Sequence, residues 1–82
     1  MRAVKLKHGV IFAERNGITL KFVPEKGWSV SPIMLDVLLW DLRGEGLDAY
    51  EYLFESDLRG LGDEAWQKML QLFEKTEEVF GL

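Results

Sequence analysis

The side chains able to do chemistry in this chain are few, and their spacing does not bring them together. A nucleophile needs a base within hydrogen-bond reach, and a metal site needs several converging ligands. His8 is the only histidine and stands beside Gly9 in an early turn, so no second histidine completes a metal pair. Cysteine is absent, which excludes disulfides and thiolate metal sites alike. Ser29, Ser31 and Ser56 lack the context that marks a nucleophile, and Glu77-Glu78 is a charge pair on a helical face expected to meet water. The glycine clusters "GEG" at 44–46 and "GLG" at 60–62 have no Lys-Ser/Thr after them, so they are not phosphate loops. The chain reads as non-catalytic, without cofactor or metal. Recognition remains, and the stretch that invites it is "EKGWSVSPIM", Glu25 to Met34, where strands give way to helices.

The elements that must position this stretch follow from periodicity. Val4 and Leu6 alternate with Lys5 and Lys7, the period-two pattern of a half-buried strand. His8-Gly9 then makes a turn, or the chain runs on through a bulge. "VIFAERNGITLKFV" predicts a hairpin about Asn16-Gly17, since both central residues of a type I′ turn need positive φ. Ile18, Leu20 and Phe22 share one face, Thr19 and Lys21 the other. After the turn "PEKG", Trp28-Ser29-Val30 forms a short last strand, expected at a sheet edge.

Ser31 as N-cap and Pro32 at the first helical position predict a helix over "PIMLDVLLWDLR". It is apolar almost all round and is expected at the centre of the core. "DLRG" occurs at 41–44 and 57–60, and both copies read as helix stops, with a cation and then a glycine able to turn left-handed. A second helix is expected from Leu47, with Asp48 as N-cap, Glu51 completing a capping box, and Tyr50, Leu53 and Phe54 turned inward. Asp63 caps a third, about 64–80. Trp66, Met69, Leu70, Phe73 and Phe80 form one apolar stripe of that helix. Ala65, Leu72, Thr76 and Val79, sharing Met69, form a second beside it. Together they are wider than a surface helix needs. Either the helix sits deep or the second stripe awaits a partner.

Eighty-two residues, 48% hydrophobic and 29% charged, make one domain with enough apolar surface to collapse. No apolar run reaches the ~18 residues of a membrane span, and the basic N-terminal stretch lacks the apolar region of a signal peptide. A cytoplasmic protein is expected. One Asn, two Gln, no Cys and many Glu, Lys and Arg suit a thermophile. Residues 1–35 hold six of the ten cations and only two of the fourteen acids, so a basic strand half precedes an acidic helical half.

Strands followed by helices, with a capped junction, read as an α+β, winged-helix-like domain: a three-stranded antiparallel sheet, then three helices. Within that class three stretches resemble the PqqD-like family of small precursor-peptide recognition domains. "EKGWSVSP" is similar to its strand-to-helix junction, "DVLLWDLRGEGLDAYEYL" to its buried helix, glycine turn and second helix, and "DEAWQKMLQLFEKTEEVFGL" to its long last helix. Val30-Ser31 stands where the family usually has Leu-Asn, and Gly44-Glu45-Gly46 where it commonly has Asp-Gly. The resemblance implies that the leader of a ribosomally made precursor peptide adds as a strand beside the third helix and is presented to a separate modifying enzyme. It further implies that Trp28, Ser29 and Val30 supply the edge and that Met69, Leu72, Thr76 and Val79 line the groove wall. Two other readings stand beside it: a small acidic interaction or inhibitor protein of phage or toxin-system type, and a winged-helix nucleic-acid binder. Asp63, Glu64, Glu74, Glu77 and Glu78 on the last helix argue against the second of these, because phosphate contacts dominate such binding. An exposed edge strand and apolar stripe would equally pair two copies of the chain.

Overall fold

The computed structural model describes residues 1–45 and 49–81. Four strands come first: β1 (Arg2–Leu6), β2 (Ile11–Arg15), β3 (Ile18–Val23) and β4 (Gly27–Val30). They are followed by α1 (Leu35–Leu42), β5 (Tyr50–Leu53), α2 (Glu55–Arg59) and α3 (Asp63–Phe80). All five strands pair antiparallel in one sheet, in the order β4-β3-β2-β1-β5. The α+β class therefore stands, but the sheet is five strands wide rather than three.

Register decides which side chains meet. Directly opposed residues of antiparallel strands share a face, so Leu53, Ala3, Ala13, Leu20 and Val30 form one row across the sheet. Lys5, Ile11, Phe22 and Trp28 form the next row on that same face. Over it lie α2 and α3, whose Leu58, Trp66, Met69 and Phe73 close on Ala3, Ile11, Ala13, Ile18, Leu20 and Trp28. The opposite face carries Val4 and Phe12, covered by Leu35 of α1 with Leu38, Leu39 and Tyr50 around them. The sheet is thus the middle of three layers. A fully buried large apolar side chain contributes about 1.5–3 kcal/mol. With Met69 and Phe73 both at 0% exposure, α3 provides the principal cover.

Three expectations are corrected here. The first helix begins at Leu35, not Pro32, and it is not the centre of the core: only Leu35 is buried in it, while Met34 before it and Val37 and Trp40 within it are exposed. The Ser31 hydroxyl is engaged in a local turn, accepting from the Ile33 N–H (3.1 Å) and donating to the Ile33 carbonyl (2.7 Å). The helix is capped instead from the sheet, where the Leu35 N–H donates to Oγ1 of buried Thr19 at 2.9 Å. Second, Tyr50–Leu53 is a strand on the free edge of β1, not part of a helix. The helix that follows it is the five-residue α2, and Phe54 points outward, 78% exposed. The expected cap at Asp48 and staple at Leu47 lie outside the described residues. Third, Asp63 is the first residue of α3 rather than its cap. Gly62 takes the cap position, and Asp63 and Glu64 sit in the first turn, where the helix dipole favours acids.

The other local signals fall at the expected places. Asn16 (φ 53°) and Gly17 (φ 81°) form the left-handed pair that joins β2 to β3. Both "DLRG" copies end helices, but neither glycine turns left-handed as expected: Gly44 has no positive φ and Gly60 keeps a right-handed φ of −64°. Its lack of a side chain matters for space instead, since a Cβ there would lie 3.2 Å from the Asp57 carbonyl oxygen.

Candidate functional site: the open edge of β4 beside α3

β4 closes one side of the sheet, and among the described residues no strand pairs with its outer edge. In an antiparallel ladder, opposed residues alternate between hydrogen-bonded and non-bonded pairs. The Ser31 N–H donates to the Thr19 carbonyl at 2.9 Å, just past the end of the β3–β4 register. Two and four residues further into the ladder, Lys21 with Ser29 and Val23 with Gly27 are then the bonded pairs. Trp28 and Val30 consequently turn their N–H and C=O groups to the open edge. These two residues can offer a ladder to an added strand.

α3 packs over β3 and β4 and runs alongside the latter. Its N-terminal half faces the start of the strand, where Lys26, Gly27 and Trp28 meet Leu61, Glu64, Ala65 and Lys68 across a cleft of about 450 Å³. Its C-terminal half faces the strand's end, where Val30 meets Thr76 and Phe80 in a cleft of about 200 Å³ that Ile18 and Met34 also line. Lys68, Leu72 and Thr76 are successive i, i+4 neighbours on one helix face. Half-buried Leu72 therefore lies midway between the two clefts.

The candidate residues separate within this arrangement. Val30 (51% exposed) and Thr76 meet at the second cleft, and half-buried Leu72 lies one turn before Thr76 on α3, while Ser29 turns its side chain to the other face of the sheet. Met69 does not line the groove wall: at 0% exposure it is wholly inside the core. Val79, 76% exposed, lies one turn beyond Thr76 on the rim. Trp28 is a core residue, 7% exposed, with its ring 5.2 Å from that of Phe22. It reaches the groove as part of the cleft lining and through its outward backbone. Its indole Nε1 is buried with no hydrogen-bond partner among the described residues.

Sequence reasoning missed Lys26 and Lys68 as candidates, and Phe80, placed in the first apolar stripe, is 67% exposed. The signal for Lys68 was present in its spacing from Leu72 and Thr76. Among the described residues, neither Lys26 nor Lys68 takes part in an ion pair. Far from these lysines, the C-terminal half of α3 is pinned to the β2–β3 turn through Glu77. Its carboxylate accepts from Arg15 and, at 2.8 Å, from the Asn16 side-chain amide. Those donors hold the carboxyl below its ordinary range, the Arg15 hydrogen bond first and Asn16 second. Arg15 also lies 4.9 Å above the Phe73 ring, so one guanidinium bridges turn, helix and core.

No family model matches the chain, and no curated protein or solved structure matches it significantly. Among the described residues, no helix is long and apolar enough to cross a membrane.

Proposed function

We propose that this chain is a non-catalytic peptide-binding module. It takes the leader of a ribosomally made precursor peptide as a sixth strand on β4 and presents it to a separate modifying enzyme. The observation that carries this reading is the outward-facing backbone of Trp28 and Val30 at an edge flanked by the half-buried wall of α3. Strand addition draws affinity from main-chain hydrogen bonds and specificity from pockets for alternate side chains. Ordering a flexible peptide costs about 1–2 kcal/mol of backbone entropy per residue. Each well-buried anchor returns about 1.5–3 kcal/mol. Two anchors and a ladder are therefore the minimum, and the two clefts along α3 provide places for two.

Affinity capture from native lysate, read by mass spectrometry with and without nuclease, tests the proposal. A short precursor peptide or a peptide-modifying enzyme is expected, lost on Val30→Glu. Recovery of nucleic acid, or of one large basic protein released by moderate salt, overturns it.

A second reading rests on the opposite face. Val37 (47% exposed), Trp40 (63%) and Tyr52 (63%) stand exposed there with Asp36 and Asp41 beside them on α1 and Arg43 over the Trp40 ring. Apolar side chains set among acids suit a small acidic interaction or inhibitor protein that docks on a basic partner. Under that reading, Trp40→Ala abolishes capture and Val30→Glu leaves it intact.

A further inference from the structure

The two ends of the β4–α3 groove differ in chemistry, and the difference specifies what kind of strand fits. At the start of β4, Lys26 and Lys68 face a cleft in which Glu64 is the single acid, and neither lysine is ion-paired among the described residues. At the end of β4 the described residues lining the cleft, among them Val30, Ile18, Met34, Thr76 and Phe80, include no charged side chain. Trp28 and Val30 belong to the sheet face that α3 covers. Residues of an added strand opposite them point to that face as well, and they stand about 6.8 Å apart, two residues along an antiparallel strand.

Resting on the peptide-docking reading above, we propose that the bound segment pairs antiparallel to β4 and carries the pattern apolar–any–acidic, read from its N-terminus. Its large apolar side chain lies opposite Val30 and enters the cleft between Thr76 and Phe80. Two residues later its carboxylate lies opposite Trp28, between Lys26 and Lys68. Antiparallel addition sets the order, because the peptide then passes the apolar end first. It also continues the pairing of every other strand in the sheet. The middle residue points to the opposite face, beside Ser29 and Lys21, and is unspecified.

A random peptide library displayed against three forms of the chain tests this. On the wild type, apolar–any–acidic peptides are expected to be enriched over the reversed order. The wild type should also favour them by about tenfold or more over apolar–any–basic ones, because like charges across an interface are strongly disfavoured. On the double variant Lys26→Glu, Lys68→Glu, both sites exposed, the preference should invert to a basic third residue. Val30→Pro removes one outward N–H and leaves the β3 ladder whole, which edge strands tolerate. It should enrich neither pattern while melting as the wild type does. Wild-type enrichment without a charge preference, or one unchanged in the double variant, overturns the apolar–any–acidic pattern and leaves strand docking standing. Enrichment that survives Val30→Pro, or none on the wild type, overturns docking at β4 and this inference with it.

Discussion

Glu77 receives the Arg15 guanidinium and the Asn16 amide, and both donors favour its ionised form in the folded chain. A carboxyl whose pKa is lowered on folding stabilises the protein above its unfolded pKa, and that stabilisation is lost as pH falls through the folded value. Glu77→Gln should therefore lower Tm at pH 7. The gap from the wild type should close as the pH drops below about 4, the ordinary carboxylate range. Thermal melts across pH measure it, and a gap that stays constant in acid refutes the clasp. Trp28 makes the complementary case. Its indole is buried with no partner for Nε1 among the described residues, and an unsatisfied buried donor costs about 1–3 kcal/mol. Trp28→Phe should thus cost little in stability, whereas Trp28→Ala, which opens a cavity against Phe22, should cost about 3–5 kcal/mol. Denaturant titration of the two variants separates ring volume from ring polarity.

At the scale of elements, β4 makes a prediction that alternates residue by residue. The Ser29 and Ser31 amides face β3, and the Trp28 and Val30 amides face water. Hydrogen exchange should be slow at the first two and fast at the second two, and uniform protection would mean that the edge is already covered. α1 makes another. Leu35→Ala should cost about 2–5 kcal/mol as a buried truncation. The double change Val37→Ser, Trp40→Ser removes only exposed side chains and should move stability by no more than about 0.5 kcal/mol per site. Periodicity and turn chemistry made the first strands, the Asn16-Gly17 hairpin, the edge position of Trp28 to Val30 and the span of α3 readable, because each is a local preference. β5 was not readable. Tyr50-Glu51-Tyr52-Leu53 alternates as a strand should, yet Asp48 and Glu51 also have the spacing of a capping box, and the local signals conflict. The pairing of Leu53 with Ala3, far apart in the chain, decides between them. The span of α1 was overread for a related reason. Eight apolar side chains near one helix suggest burial all round, but a helix lying on one face of a sheet can bury only one side. Thr76 and Val30 lie beside one cleft because stripe and edge are both periodic. Met69 does not, because a residue shared by two stripes falls between them, on the side turned to the core.

Over the whole molecule, residues from both ends of the chain share one core: Ala3 of the first strand lies in the same cluster as Phe73 of the last helix. Neither half can keep its structure alone, whatever the contrast between a basic strand half and an acidic helical half suggests. Unfolding should be a single cooperative transition, with far-ultraviolet dichroism and tryptophan fluorescence tracing the same curve. The three tryptophans report from different layers, Trp28 in the sheet, Trp66 on the inner face of α3 and Trp40 exposed on α1, so separated transitions would reveal layers that melt independently. The bond from Leu35 to Thr19 gives this cooperativity a direction in time. The first turn of α1 has this cap, worth about 1 kcal/mol, only once the sheet has brought Thr19 to the right place, so the sheet forms first and the helix is completed on it. α1 is then a late reporter of folding, and Thr19→Val should speed unfolding while leaving the refolding rate nearly unchanged.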